Sequence, residues 1–207
     1  IDICIEEIEM RGSEFQIENP ILERGNKNNS LGFCRVKPRG VALVLSHFNS
    51  PAENAMSYIV PALLSGNSLI YKPSKKAPGV GQLLTDCADL AGFPAGVFNM
   101  VQGGREMAKR LAQHSDIDTI FFAGDFEFAK QIRRDSMEHN EKLLAFETGG
   151  KNPAIVLADA DMDVAIREVL IGAYATTGQR AESTSRLILQ ESIAEEFLTR
   201  FHNCAKT

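Results

Sequence analysis

Residues 41–74 read VALVLSHFNSPAENAMSYIVPALLSGNSLIYKPS, and the fold turns on this stretch. An apolar, β-rich run over 41–46 is followed by a helical pattern over 53–64 and a second β-rich run over 68–72. The apolar residues recur at helical spacing in the middle and form short unbroken runs at either end. Strand, helix and strand in this order predict one crossover unit with its two strands parallel.

The alternation continues along the chain. Further strand candidates fall at 97–101, 119–122 and 143–146, and helical patterns near 80–90, 106–113 and 126–137. Pro78 and Gly79 precede the second helix, and Gly92 with Pro94 stops it. Asp125 is a natural N-cap ahead of Phe126 and Phe128. Five short strands separated by helices predict an α/β fold: a Rossmann-like parallel sheet with right-handed crossovers and helices on both faces. Ligands on such sheets bind at the carboxyl ends of the strands.

The two ends of the chain read differently. Residues 1–40 carry an acidic helical start with Glu6, Glu7 and Glu9, a polar stretch over 25–30, and a weakly alternating run over 31–37 that predicts a strand outside the main sheet. Residues 41–148 form the expected sheet domain. After Gly149-Gly150 a second α/β unit begins, with strands over 154–157 and 186–189 and helices over 162–175 and 193–201. Two strands and two helices make a poor core alone, so 149–207 reads as an incomplete domain with an apolar patch that invites self-association.

Length and charge narrow the classes. At 207 residues the prior is one domain plus part of another, and a chain that begins at Ile1 reads as a piece of something longer. Twenty-two Lys and Arg against 27 Asp and Glu leave a net charge of −5, which offers no basic field for a phosphate backbone. Nucleic acid is not an expected partner. No apolar run approaches the ~18 residues of a membrane span, so no membrane is expected either. Cys4, Cys34, Cys87 and Cys204 are scattered without a CxxC pair and read as reduced thiols of a cytoplasmic protein. No Cys or carboxylate stands at ligand spacing from His47, and His114, His139 and His202 are isolated, so no metal is expected.

No GxGxxG fingerprint is present: Gly79-Val80-Gly81 lacks its third glycine, and Gly103-Gly104 has the wrong spacing. A different ordered set of motifs stands instead. His47-Phe48-Asn49-Ser50-Pro51 follows the first strand, and Pro61–Asn67 leads into Lys72-Pro73-Ser74. Ala91–Val97, Phe122-Ala123-Gly124, Glu147-Thr148-Gly149-Gly150-Lys151-Asn152-Pro153, Ala158–Asp161 and Gly178-Gln179-Arg180 complete the set. From residue type alone Asn49 is equally a turn residue before Ser50-Pro51, and Glu147 a solvated loop acid.

In order and spacing these motifs resemble the aldehyde dehydrogenase superfamily over roughly residues 38–203. Val101–Glu106 and Gly178–Arg180 resemble a semialdehyde-oxidising, arginine-catabolic branch of it. The resemblance implies a mechanism in which a thiolate attacks an aldehyde, a hydride passes to a nicotinamide, and a carboxylate activates water on the thioester. It makes Asn49 the oxyanion donor and Glu147 the general base, and places Lys72, Ser74, Lys75, Gly124, Asp125 and Gly149 at a cofactor, NAD or NADP. Gly149 and Gly150 would permit close backbone approach, although a plain turn explains them too.

Three departures qualify the resemblance. The nucleophile should follow Gly178-Gln179-Arg180, but that position is Ala181, and neither Ser183 nor Thr184 inherits the thiol's chemistry. Glu182-Ser183-Thr184 also departs from the family pattern, which favours natural divergence over an engineered Cys→Ala trap. Asp125 replaces a serine at the start of a helix, placing an anion where a pyrophosphate would sit. Lys75 stands where NAD-preferring members carry a glutamate; it suits the 2′-phosphate of NADP, or is a surface lysine beside Lys76. The third departure is length, since members continue well beyond this point. The expectation is an NAD(P)-dependent semialdehyde dehydrogenase piece, inactive as an isolated chain, whose remaining site is supplied by its complete parent or by a partner chain. The alternative is a pseudoenzyme or remnant that acts as a weak nucleotide-binding or association module.

Overall fold

The computed structural model describes residues 37–206, together with the backbone of 15–17 and 32–34. The acidic helical start expected before residue 14 lies outside the described residues. Strand β1 (Phe15–Ile17) pairs antiparallel with β2 (Gly32–Cys34), apart from the main sheet. The described residues pack as two compact units, one of those up to Ala123 with Glu127–Phe146, the other of Gly124–Phe126 with residues from Glu147 onward.

The first unit is built on a five-stranded sheet of β3 (Val41–Leu45), β4 (Ser68–Lys72), β5 (Phe98–Met100), β6 (Thr119–Gly124) and β7 (Leu143–Thr148). Its spatial order is β5-β4-β3-β6-β7, and β3 pairs parallel with both β4 and β6. The connecting helices are α1 (Pro51–Leu64), α2 (Pro78–Leu90), α3 (Arg105–Gln113) and α4 (Phe126–Asp135). Both α1 and α2 open on proline, a position where the missing N–H costs nothing, so each starts two residues before the apolar pattern. Helix α4 stops at Asp135 instead of running to Met137, which is exposed.

Strand period explains the two cores. Leu43 and Leu45 point to one face with Ile120 and Phe122, where they meet Ala108 and Ala112 of α3 and Phe128, Ala129 and Ile132 of α4. Ala42 and Val44 point to the other, with Leu69 and Tyr71, against Ala55, Tyr58 and Ile59 of α1. Both faces are covered, as a parallel sheet requires.

The second unit contains β8 (Asn152–Val156), α5 (Met162–Tyr174), a 3-10 turn (Ala175–Gly178), β9 (Thr184–Leu189) and α6 (Glu191–Cys204). Strands β8 and β9 are parallel, and Val156, Ile166, Val169 and Phe197 form its small core. Ile155 and its partner Ile188 are exposed on the outer face, with Leu157 beyond them. Thr176 and Thr177 have φ of 54° and 56°, the left-handed region that β-branched residues avoid. No helix among the described residues is long and apolar enough to cross a membrane.

Candidate active site

The strand order reverses between β3 and β6: the chain goes one way from β3 to β4 and β5, and returns to lay β6 on β3's other side. Such a switch point opens a crevice at the carboxyl ends of the strands. Strand β3 ends at Leu45 and leads into the loop that carries Asn49. The amide of Asn49 is oriented by its neighbour, with Oδ1 lying 2.8 Å from His47 Nδ1. This bond sets the direction of Nδ2, the end an oxyanion would use. The loop is itself anchored to α1, because the His47 N–H donates to Asn54 Oδ1 at 2.9 Å. Phe48 lies under His47 on one side and under Lys76 Nζ, 4.1 Å from its ring centroid.

Lys72 closes β4, and its side chain is only 7% exposed. Its Nζ donates to Pro73 O at 2.8 Å and to Gly103 O at 3.1 Å, tying the loops after β4 and β5 together. Burial holds this ammonium below the ordinary lysine range. Beside it, the Ser46 hydroxyl lies 3.2 Å from the Tyr71 hydroxyl; burial pushes the phenol up, against the pull of that bond. Ser74 Oγ accepts the Lys76 N–H, and Lys75 is exposed. Asn49, Ser74 and Lys75 thus stand on loops, and Lys72 at a strand end, at the carboxyl edge of the sheet.

In the second unit, Gly124 ends β6 and Asp125 is the exposed residue before α4. Glu147 is exposed near the end of β7, and Gly149 follows in the link to β8. That link meets position 181. Asn152 Nδ2 donates to Ala181 O at 2.6 Å, and a Cβ on Gly150 would stand 2.7 Å from the same oxygen. As a site-builder Asn54 carried no signal in the sequence; Gly103 and Asn152 carried one only through their places within the Val101–Glu106 and Glu147–Pro153 motifs. Among the described residues no group of three or more His, Cys, Asp or Glu is placed to hold a metal.

A parallel sheet with an open switch point and an ordered set of loops at its carboxyl edge defines a class, and the sequence assigns it. The model of the aldehyde dehydrogenase family matches residues 3–207, and the chain belongs to that family. Its members act on aldehydes with NAD(P). The N-succinylglutamate 5-semialdehyde dehydrogenase of Salmonella schwarzengrund (strain CVM19633) is 40% identical over 172 residues, 83% of this chain. This chain spans 35% of that relative's length. The P. syringae indole-3-acetaldehyde dehydrogenase AldA, solved as a cysteine-to-alanine variant with NAD+ and IAA, matches with a TM-score of 0.87 at 32% identity. The match covers 97% of this chain and 40% of that one. KauB, an aldehyde dehydrogenase from Pseudomonas aeruginosa, matches with a TM-score of 0.83 at 34% identity, over 88% of this chain and 37% of its own.

Proposed function

We propose that this chain carries the nucleotide-binding part, and the start of the catalytic part, of an NAD(P)-dependent dehydrogenase that oxidises a semialdehyde of the succinylglutamate type to the carboxylate. The observation that carries the reading is the orientation of Asn49: His47 fixes its amide at the carboxyl edge of the sheet, as an oxyanion donor requires. In this reading Glu147 takes a proton from water, as its place near the end of β7 and its exposure support. Position 181 offers a methyl group, which cannot attack a carbonyl, so the chain alone does not turn the substrate over. A cytoplasmic, arginine-degrading setting belongs to the same reading, supported by the relative's substrate.

Some of these residues suit a dinucleotide and one opposes it. Lys72 Nζ is held in place by two carbonyls and has a third donor hydrogen for a ribose hydroxyl. Ser74 adds a hydroxyl, and the exposed cation of Lys75 favours a 2′-phosphate, hence NADP. Asp125 places a carboxylate at the start of α4, where helix polarity would otherwise attract a pyrophosphate. When bound, the nicotinamide accepts the hydride of the aldehyde. A second reading, a weak nucleotide-binding or association module without turnover, is favoured by Ala181 and Asp125 together.

Calorimetric titration with NAD and NADP, followed by an assay with succinylglutamate semialdehyde, tests both. We expect weak binding, tighter for NADP, and no turnover. Asp125→Ser should tighten binding by roughly fivefold to tenfold, the size of one relieved charge at a helix terminus. Turnover by the unaltered chain would overturn the inactive reading. No binding by the chain or by Asp125→Ser would overturn the cofactor assignment.

A further inference from the structure

We infer that Asn152, assisted by Gly150, positions the backbone at residue 181; the inference rests on reading 181 as the nucleophile position. Everything it needs lies within the second unit. Ala181 sits in a turn closed twice: the Ser183 N–H donates to Arg180 O at 3.2 Å, and the Arg180 N–H donates to Ser183 Oγ at 3.2 Å. Those local bonds give the turn its shape but do not fix where it stands. Asn152 fixes its place. From 29 residues away its Nδ2 donates to Ala181 O at 2.6 Å, and it reaches Ser183 O at 3.4 Å.

The local fold aims that amide. Asn152 is opposite Thr184, but the next residue, Pro153, is opposite Arg186, so Ser185 is an extra residue on β9. An irregularity of this kind re-aims a side chain, and Pro153 brings no N–H to the ladder that would correct it. On the same link, the Lys151 carbonyl accepts from the Arg186 guanidinium, which ties the start of β8 to β9 a second time.

Gly150 contributes space. A Cβ there would stand 2.7 Å from Ala181 O and about as close to the Asn152 amide, at 3.0 and 3.1 Å. Any side chain at 150 would displace the carbonyl that Asn152 holds. The segment leaving Glu147 and the turn carrying position 181 are therefore seated against each other by one amide and one vacant Cβ. A nucleophile at 181 needs its backbone held to within ~0.5 Å, and Asn152 is the positioning residue that supplies this.

Hydrogen exchange of the full chain, read by mass spectrometry, tests the inference. Asn152→Asp keeps the shape of the side chain and removes both Nδ2 hydrogens. We expect exchange over residues 180–184 to rise on the order of tenfold, as one lost hydrogen bond implies, while α5 and α6 keep their protection. Asn152→Gln, which retains the amide, should recover part of the slow exchange, and Gly150→Ala should raise it. In a second arm, Ala181→Cys reports through the pH midpoint of alkylation at the new thiol, resolved from the other cysteines by peptide mass. Adding Asn152→Asp should move that midpoint up, because a carboxylate then stands beside the turn. Unchanged exchange over 180–184, or an unmoved midpoint, overturns the inference. The exchange arm needs no nucleotide or substrate, so failure of both the chain and Asp125→Ser to bind NAD or NADP would overturn the cofactor assignment and leave this result readable.

Discussion

Lys142 is a lysine that reads as surface and is not. It follows Glu141 in a polar stretch, yet it is only 7% exposed, and its Nζ donates to Ala112 O at 3.0 Å and His114 O at 2.6 Å. Those carbonyls end α3, so the side chain caps a helix that lies 28 to 30 residues earlier in sequence. Lys142→Met should lower stability by about 1–3 kcal/mol, measured by urea unfolding, since it leaves buried acceptors without their cation. Burial holds its ammonium below the ordinary value of 10.5, against the opposing pull of Glu141 and Asp118. In the alkaline window between that lowered value and 10.5 the unfolded chain binds more protons than the folded one, so this lysine's contribution to stability rises with pH there. The gap between the two proteins should therefore widen as pH climbs toward 10.5. Lys72 was legible as a candidate because it sits in a motif. Lys142 was not, because its burial is set by the path of α3, which no local pattern encodes.

Elements were more legible than their tertiary partners. The strands at 41–46 and 68–72 and the helix between them announce themselves by period, since a strand covered on both faces must be apolar throughout and a helix on one stripe only. Boundaries shifted where backbone chemistry outweighed hydrophobic pattern, as at Pro51 and Pro78, both inside their helices. Helix α5 shows the local case at its clearest. Asp161 precedes Met162, and its side chain accepts the Val164 N–H at 3.0 Å, with Asp163 adding charge in the first turn. Asp161→Ala should cost about 1 kcal/mol, read as a lower urea midpoint with no change in slope. Asn152 marks the limit of this kind of reading. Its bond to Ala181 joins residues 29 apart, and only the pairing of β8 with β9 brings them together.

At the scale of the molecule the two units differ in the size of their cores. The first has two cores, one on either side of its sheet. The second rests on four buried residues behind a two-stranded sheet whose outer face leaves Ile155 65% exposed. That shortfall was readable from the count of strands after Gly150. What the sequence could not announce was the backbone just before position 181, where Thr176, Thr177 and Gly178 are successive left-handed residues. Glycine adopts that conformation freely, but each threonine pays roughly 1–2 kcal/mol to do so. Thr176→Asn with Thr177→Asn places there the side chain that best tolerates the conformation after glycine. We expect the melting temperature to rise by ~2–4 °C for each kcal/mol recovered, with no core contact altered. For anyone using this chain as an engineering scaffold, heat tolerance is thus available at two exposed threonines, without redesigning the thin interior behind them.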